Sequence, residues 1–119
     1  MLVAFAFTAF ADTDAATPEP GLESTVAYLI DYVAESDFVF VRNGKAYSSG
    51  EAADHIRRKY KHFLDEISTA EDFIRLAASK SILTGRAYEV RLPGHHMVKC
   101  EQWLLEVLDD YRNNVTSRR

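Results

Sequence analysis

Phe38-Val39-Phe40-Val41-Arg42-Asn43-Gly44-Lys45-Ala46-Tyr47 is the stretch on which the fold turns. Two short runs rich in β-branched and aromatic residues flank Asn43-Gly44. A two-residue type I′ turn needs positive φ at both central positions, and Asn followed by Gly meets that need at the least steric cost. The stretch therefore reads as a β-hairpin. Its register follows from the loop length: Arg42 opposite Lys45, Val41 opposite Ala46, Phe40 opposite Tyr47. Side chains alternate along a strand, so Phe40, Arg42, Lys45 and Tyr47 share one face. Like charges directly opposed across strands repel, and the pair asks for compensation. An internal carboxylate (Glu51, or Asp31, Glu35 or Asp37 upstream) would supply it, as would an external phosphate, sulfate or carboxylate gripped by the Arg42 fork, or plain hydration.

Upstream of the hairpin, Leu22, Val26, Leu29, Ile30 and Val33 recur at helical spacing and predict an amphipathic helix from Leu22 to about Glu35. Downstream, Ser48-Ser49-Gly50-Glu51 has the form of a capping box. It opens a helix expected to run to about Glu66, with Ala53, Ile56, Tyr60, Phe63, Leu64 and Ile67 on its apolar face. Ser68-Thr69-Ala70-Glu71 has the same form and predicts a shorter helix carrying Phe73, Ile74, Ala77 and Ala78. Gly85 breaks the chain, Ala87 to Arg91 reads as a strand, Pro93-Gly94 as a turn and His96-Met97-Val98 as a return strand. A last helix, Glu101 to about Arg112, buries Trp103, Leu104, Val107, Leu108 and Tyr111. The class is α+β: a helix-rich single domain of about four helices with one or two short β-hairpins.

The chain has 119 residues, 14 Lys and Arg against 18 Asp and Glu, and one Cys. That length suits one domain. A net charge of −4 argues against sequence-independent nucleic-acid binding, which depends on clustered cations. No apolar run of about 18 residues is present to cross a membrane as a helix. A single Cys excludes an internal disulfide and a Cys-cluster zinc site. Charge is unevenly placed: residues 12–41 carry seven acids and no base, and all 14 bases follow. The expected consequence is an acidic first helix lying against a more basic remainder.

Met1 to Ala11 holds no charged side chain and ends Ala9-Phe10-Ala11, the small-x-small pattern of a signal-peptidase site. Residues 1–11 are therefore expected to be a cleaved signal peptide. Residues 12–21 follow as a flexible linker, 22–113 as the single globular domain and 114–119 as a tail. The missing basic residue ahead of the apolar run leaves two options: the N-terminal amine serves alone, or the start lies upstream. The expected location is periplasmic or secreted.

Chemistry-bearing residues are few. His55 and His62 stand seven apart, about 10 Å along a helix and too far for one ion. The neighbours His95 and His96 would point to opposite faces of a strand, so no metal and no cofactor is expected. Neither G-x-S-x-G nor S-x-x-K occurs. Cys100, four residues after His96 at a helix start, is a conceivable thiol nucleophile with lowered pKa, a weak cap, or a free thiol open to pairing with a second chain. The hydroxyls of Ser79, Ser81 and Thr84 either cap a helix end or face a glycan or peptide ligand. On the long helix Glu51, His55, Arg58 and His62 fall within about 60° of one another at 100° per residue, a stripe pointing away from the core. It is either a solvated face or a recognition surface continuous with the Arg42/Lys45 hairpin.

Phe40-Val41-Arg42-Asn43-Gly44, Tyr47, Glu51-Ala52-Ala53, His55 and Lys59-Tyr60 in the first half resemble the YfeK-like family, small exported bacterial proteins of unknown function. Thr69-Ala70-Glu71, Phe73-Ile74, Ala78-Ser79, Ser81, Thr84-Gly85, Tyr88 and Trp103-Leu104 continue the resemblance over nearly the whole mature chain. Cys100 departs from it, standing where a small polar cap residue is expected. The resemblance implies a secreted or periplasmic single domain and brings no activity. The expectation for function is an exported, non-enzymatic binding or interaction module. Arg42, Asn43, Lys45, Tyr47, Glu51, His55 and Arg58 are its candidate binding residues, and its partner is a cell-envelope protein or an anionic small ligand. The alternative is a small cell-envelope enzyme using Glu51 and His55 as acid and base. Monomer and dimer are both compatible with the sequence.

Overall fold

The computed structural model describes residues 17–117. The expected signal peptide, residues 1–11, lies outside them, as does the linker up to residue 16. The elements in order are α1 (Leu22–Glu35), β1 (Val39–Arg42), β2 (Lys45–Tyr47), α2 (Ser49–His62), a 3₁₀ turn (Leu64–Glu66), α3 (Ala70–Ala77), β3 (Glu89–Leu92), β4 (His96–Lys99) and α4 (Cys100–Ser117).

The first hairpin takes the predicted register, Phe40 opposite Tyr47, Val41 opposite Ala46 and Arg42 opposite Lys45. Asn43 and Gly44 both adopt positive φ, 53° and 78°, the backbone that a tight hairpin turn demands. The two hairpins are not separate. β1 and β3 pair antiparallel through Val39–Arg91, Phe40–Val90 and Val41–Glu89, giving one four-stranded sheet ordered β2-β1-β3-β4. Phe40 and Val90 form the buried row of that sheet. Trp103 of α4 lies against it, its ring 5.7 Å from Phe40 and 5.8 Å from Phe38. Phe73, Ile74, Leu29, Val33, Leu104 and Leu108 complete the core from α3, α1 and α4.

Four local expectations move. The long helix stops at His62 rather than about Glu66, because the chain tightens into the 3₁₀ turn with Glu66 N–H donating to Phe63 O at 2.8 Å. That change of pitch turns Leu64 outward, 52% exposed, while Ile67 is buried as expected. The second capping box sits one residue later than Ser68–Glu71. Thr69 accepts from Asp72 N–H at 3.0 Å, and the Asp72 carboxylate accepts from Thr69 N–H at 3.2 Å. Glu71 is thereby released to pair with Arg112 of α4. The linker also ends sooner. Glu19 N–H donates to Ser68 O at 2.8 Å, and its carboxylate accepts from Ala70 N–H at 2.9 Å, anchoring the segment before α1 to the start of α3. At the other end α4 continues through residues 113–117. The acidic first helix meets a base of α2, with Asp31 of α1 lying 4.0 Å from Arg57.

Candidate functional site

The inner face of the hairpin carries Arg42 and Tyr47 to the edge of α2. Between them opens a cleft of about 240 Å³, lined by Phe40, Arg42, Tyr47, Glu51, His55, Arg58, Tyr88 and Cys100 among others. Five of the seven residues singled out from the sequence therefore line one cavity: Arg42, Tyr47, Glu51, His55 and Arg58. The stripe on α2 is not a plain solvated face, since Glu51, His55 and Arg58 border this cleft. His62 is not among its lining residues and stacks edge-on against Phe63, 4.7 Å away.

Among the described residues no carboxylate stands at ion-pair distance from Arg42 or Lys45, although the Lys45 charge helps to lower the Glu51 pKa. Arg42 donates from Nη2 to the Tyr47 hydroxyl at 3.0 Å, and its guanidinium lies 4.9 Å from the Tyr47 ring centroid. Lys45 lies 5.4 Å from the same ring. The aromatic face, negative by its quadrupole, offsets both cations. Asn43 is placed at the turn, where Nδ2 donates to the Ser81 hydroxyl at 3.2 Å and Oδ1 accepts from Thr84 at 2.6 Å. Asn43 and Lys45 thus stand outside the cleft. Ser79 donates to Ile74 O at 2.7 Å, so its hydroxyl closes the end of α3. The hydroxyls of Ser79, Ser81 and Thr84 all bond within the fold.

Glu51 is committed to its cap: Ser48 N–H donates to its carboxylate at 2.9 Å, and that bond holds its pKa below the ordinary carboxylate value. His55 is different. Burial first, then the charges of Arg42, Lys59 and Arg58, push it down to about 4, so it is neutral at pH 7. Its Nε2 stands 3.0 Å from the Tyr88 hydroxyl, which also receives a hydrogen bond from Lys59 Nζ at 3.0 Å. An ammonium only donates, so the Tyr88 oxygen accepts from Lys59 and its own proton is available to His55 Nε2. Lys59 donates further to Lys80 O at 2.7 Å, and burial followed by the nearby Arg42 charge lowers it to about 8. Tyr88 is raised above its ordinary value by burial.

Cys100 does not fit a reactive or cross-linking thiol. It is 1% exposed, which rules out pairing with a second chain, and burial pushes it up to about 12 rather than down. Among the described residues no three His, Cys, Asp or Glu side chains gather as a metal site needs, and no helix is long and apolar enough to cross a membrane.

A family described as "Family of unknown function (DUF5329)" matches residues 20–112. The chain belongs to the DUF5329 family. The "Uncharacterized protein YfeK" of Salmonella typhimurium (strain LT2) is 39% identical over 67 residues, 56% of this chain and 56% of that protein. The chain spans about half the length of this curated relative. The YfeK-like resemblance read from the hairpin and α2 is thereby borne out, and no solved structure matches the chain.

In this DUF5329 domain, sequence reasoning missed Lys59 and Tyr88 as site residues. Lys59 is only 6% exposed, although lysine is among the residues least often fully buried. A signal was present: at 100° per residue Lys59 falls about 80° from Glu51, on the border between the polar stripe and the apolar face of α2.

Proposed function

We propose that this domain is a binding module whose cleft takes an anionic group, a small carboxylate or phosphate or the charged end of a larger molecule, and that it works outside the cytoplasm. The observation that carries the reading is electrostatic. Arg42 and Arg58 border the cleft and Lys59 stands behind Tyr88, and among the described residues none of the three has a carboxylate at ion-pair distance. The two carboxylates on the cleft lining are spoken for, Glu51 by its cap and Asp54 by Arg57 at 2.8 Å. An anion would meet fixed cations and a neutral imidazole over an apolar floor of Phe40 and Ile56. The volume is below the roughly 300–1,000 Å³ of drug-sized sites, which favours a small acid.

The test is thermal melting in phosphate, sulfate and short acidic glycan fragments, comparing the protein with Arg58→Ala. A ligand at about 100 times its Kd adds about 2.7 kcal/mol, so the wild type melts higher while Arg58→Ala, exposed and without an ion pair, does not respond. A flat wild-type response to every anion, or an equal response in the variant, ends the reading. For export, supported by residues 1–11, mass spectrometry of protein recovered outside the cytoplasm should find Asp12 at the N-terminus. Retained Met1 argues against it.

A second reading, acid–base chemistry in the same cleft, is favoured by the Lys59–Tyr88–His55 chain, which links a cation to a neutral imidazole through one hydroxyl. Its base is then His55, with Tyr88 rather than Glu51 as partner. Turnover of peptidoglycan fragments by the protein but not by His55→Ala would favour it over simple binding.

A further inference from the structure

The loop between α3 and β3 projects a surface that neither the core nor the cleft uses. Leu83 is 90% exposed and Ile82 63%, the two most exposed large aliphatic side chains among the described residues. The loop is braced at its base by the Lys80–Ala87 bridge and by Ser81 N–H donating to Arg86 O at 3.0 Å. Gly85, at φ 73°, makes the turn back, with its N–H on Ser81 O at 2.9 Å. Inside the loop the Ser81 hydroxyl accepts from Leu83 N–H at 3.2 Å and from Asn43 at 3.2 Å. The Ser81 hydroxyl is thus turned inward and the apolar pair is held out.

Asn43 joins this loop to the hairpin tip, so two distant segments form one surface. A Cβ at Gly44 would stand 3.8 Å from the Arg86 guanidinium. Residues 38–50 and 79–88 contain Arg42, Lys45, Lys80 and Arg86 and no Asp or Glu at all. In a chain of net charge −4 that is a local reversal of sign. Lys80 and Arg86, which flank the apolar pair in the loop, are exposed, as is Lys45 at the adjoining hairpin turn.

We propose that this surface docks the domain on an anionic lipid bilayer, with Ile82 and Leu83 entering the boundary between headgroups and acyl chains and Lys45, Lys80 and Arg86 contacting the headgroups. Projecting aliphatic side chains flanked by cations combine the two terms of interfacial binding, apolar burial and attraction to anionic lipid. A protein partner is the weaker fit. Protein hot spots favour Trp, Tyr and Arg seated in complementary pockets, and leucine is under-represented there. A projecting aliphatic pair needs a medium that deforms around it.

The decisive measurement is the emission of full-chain Leu83→Trp with vesicles of equal parts phosphatidylcholine and phosphatidylglycerol. Trp103, buried at 8% exposure, supplies a constant background. Blue-shifted emission, quenched by brominated lipid and weakened in pure phosphatidylcholine, is the expected result; an unchanged spectrum overturns the proposal. Because this probe reads position 83 itself, binding through any other part of the chain does not imitate it. In co-sedimentation Leu83→Asp should lose at least about tenfold in vesicle affinity, with an unchanged melting curve because the residue packs against little. Sedimentation equal to the wild type overturns the proposal, as does self-association of the wild type that Leu83→Asp abolishes, which would make a second copy the occupant. Arg58→Ala should leave vesicle binding intact, so failure here and failure of the anion cleft are read separately.

Discussion

Where the segment before α1, α3 and α4 meet, Arg112 is held by both carboxylate oxygens of Glu71 and lies 3.6 Å from Glu19. Around the cleft, Arg42 and Lys59 have hydrogen bonds and aromatic contacts, and neither they nor Arg58 have a paired carboxylate among the described residues. The first arrangement spends its charge on the fold, tying an N-terminal segment to two helices. The second leaves cations beside a histidine that burial first, and their charge second, holds neutral. The contrast teaches that the closed side carries stability and that the cleft side holds potential available to a ligand.

The strongest way to test that division is Trp103→Ala. The indole ring lies 5.7 to 5.8 Å from the rings of Tyr32, Phe38 and Phe40, and truncation of such a buried aromatic costs about 3–5 kcal/mol. Urea unfolding reads it, and a loss under about 1 kcal/mol would mean that the aromatic cluster is not where the stability resides. Next comes the cap: Thr69→Ala should cost about 1 kcal/mol while Glu71→Gln leaves the cap intact, by the same measurement. A reversed order would put the box back at Ser68 and Glu71.

Smaller still is the ion pair itself. Arg112→Ala should lose up to about 1 kcal/mol, with the loss shrinking in high salt, because its side chain is 41% exposed. Arg42→Ala should stay within about 0.5 kcal/mol and remove the anion response instead. Equal destabilisation by the two variants would erase the distinction between the sides. The finest test is pH. Since folded His55 titrates near 4 rather than 6.5, the unfolded chain binds more protons between those values. Stability therefore falls as pH drops through that window. An NMR titration should place His55 near 4 and find it moved upward in Arg42→Ala, or in the wild type once an anion is bound.

What the sequence made legible was local. The hairpin register followed from Asn43-Gly44, whose turn chemistry involves only adjacent residues, and α1 matched its expected span because its apolar spacing is unbroken from Leu22 to Val33. The second cap was one residue out because Ser68 and Thr69 offer two hydroxyls and Glu71 and Asp72 two carboxylates in sequence. The choice between them rests on burying Ala70, Phe73, Ile74 and Ala77 together. The cleft was half legible. Five of its residues came from a helix stripe and a hairpin face, but its far wall, Tyr88, arrives through the β1–β3 pairing, which no local pattern encodes. The burial of Lys59 was not legible because it depends on two distant oxygens, Lys80 O and the Tyr88 hydroxyl.

That same seam between β1 and β3 bears on how the chain assembles in time. Each hairpin joins near neighbours and closes on the order of 1–10 μs. The seam joins residues about 50 positions apart, and the entropy of closing so long a loop is lost before its contacts give anything back. The domain should therefore form as two prefabricated ribbons whose meeting limits the rate. Val90→Ala, at the centre of the seam and 0% exposed, should slow refolding in a denaturant chevron, whereas Thr69→Ala should chiefly hasten unfolding.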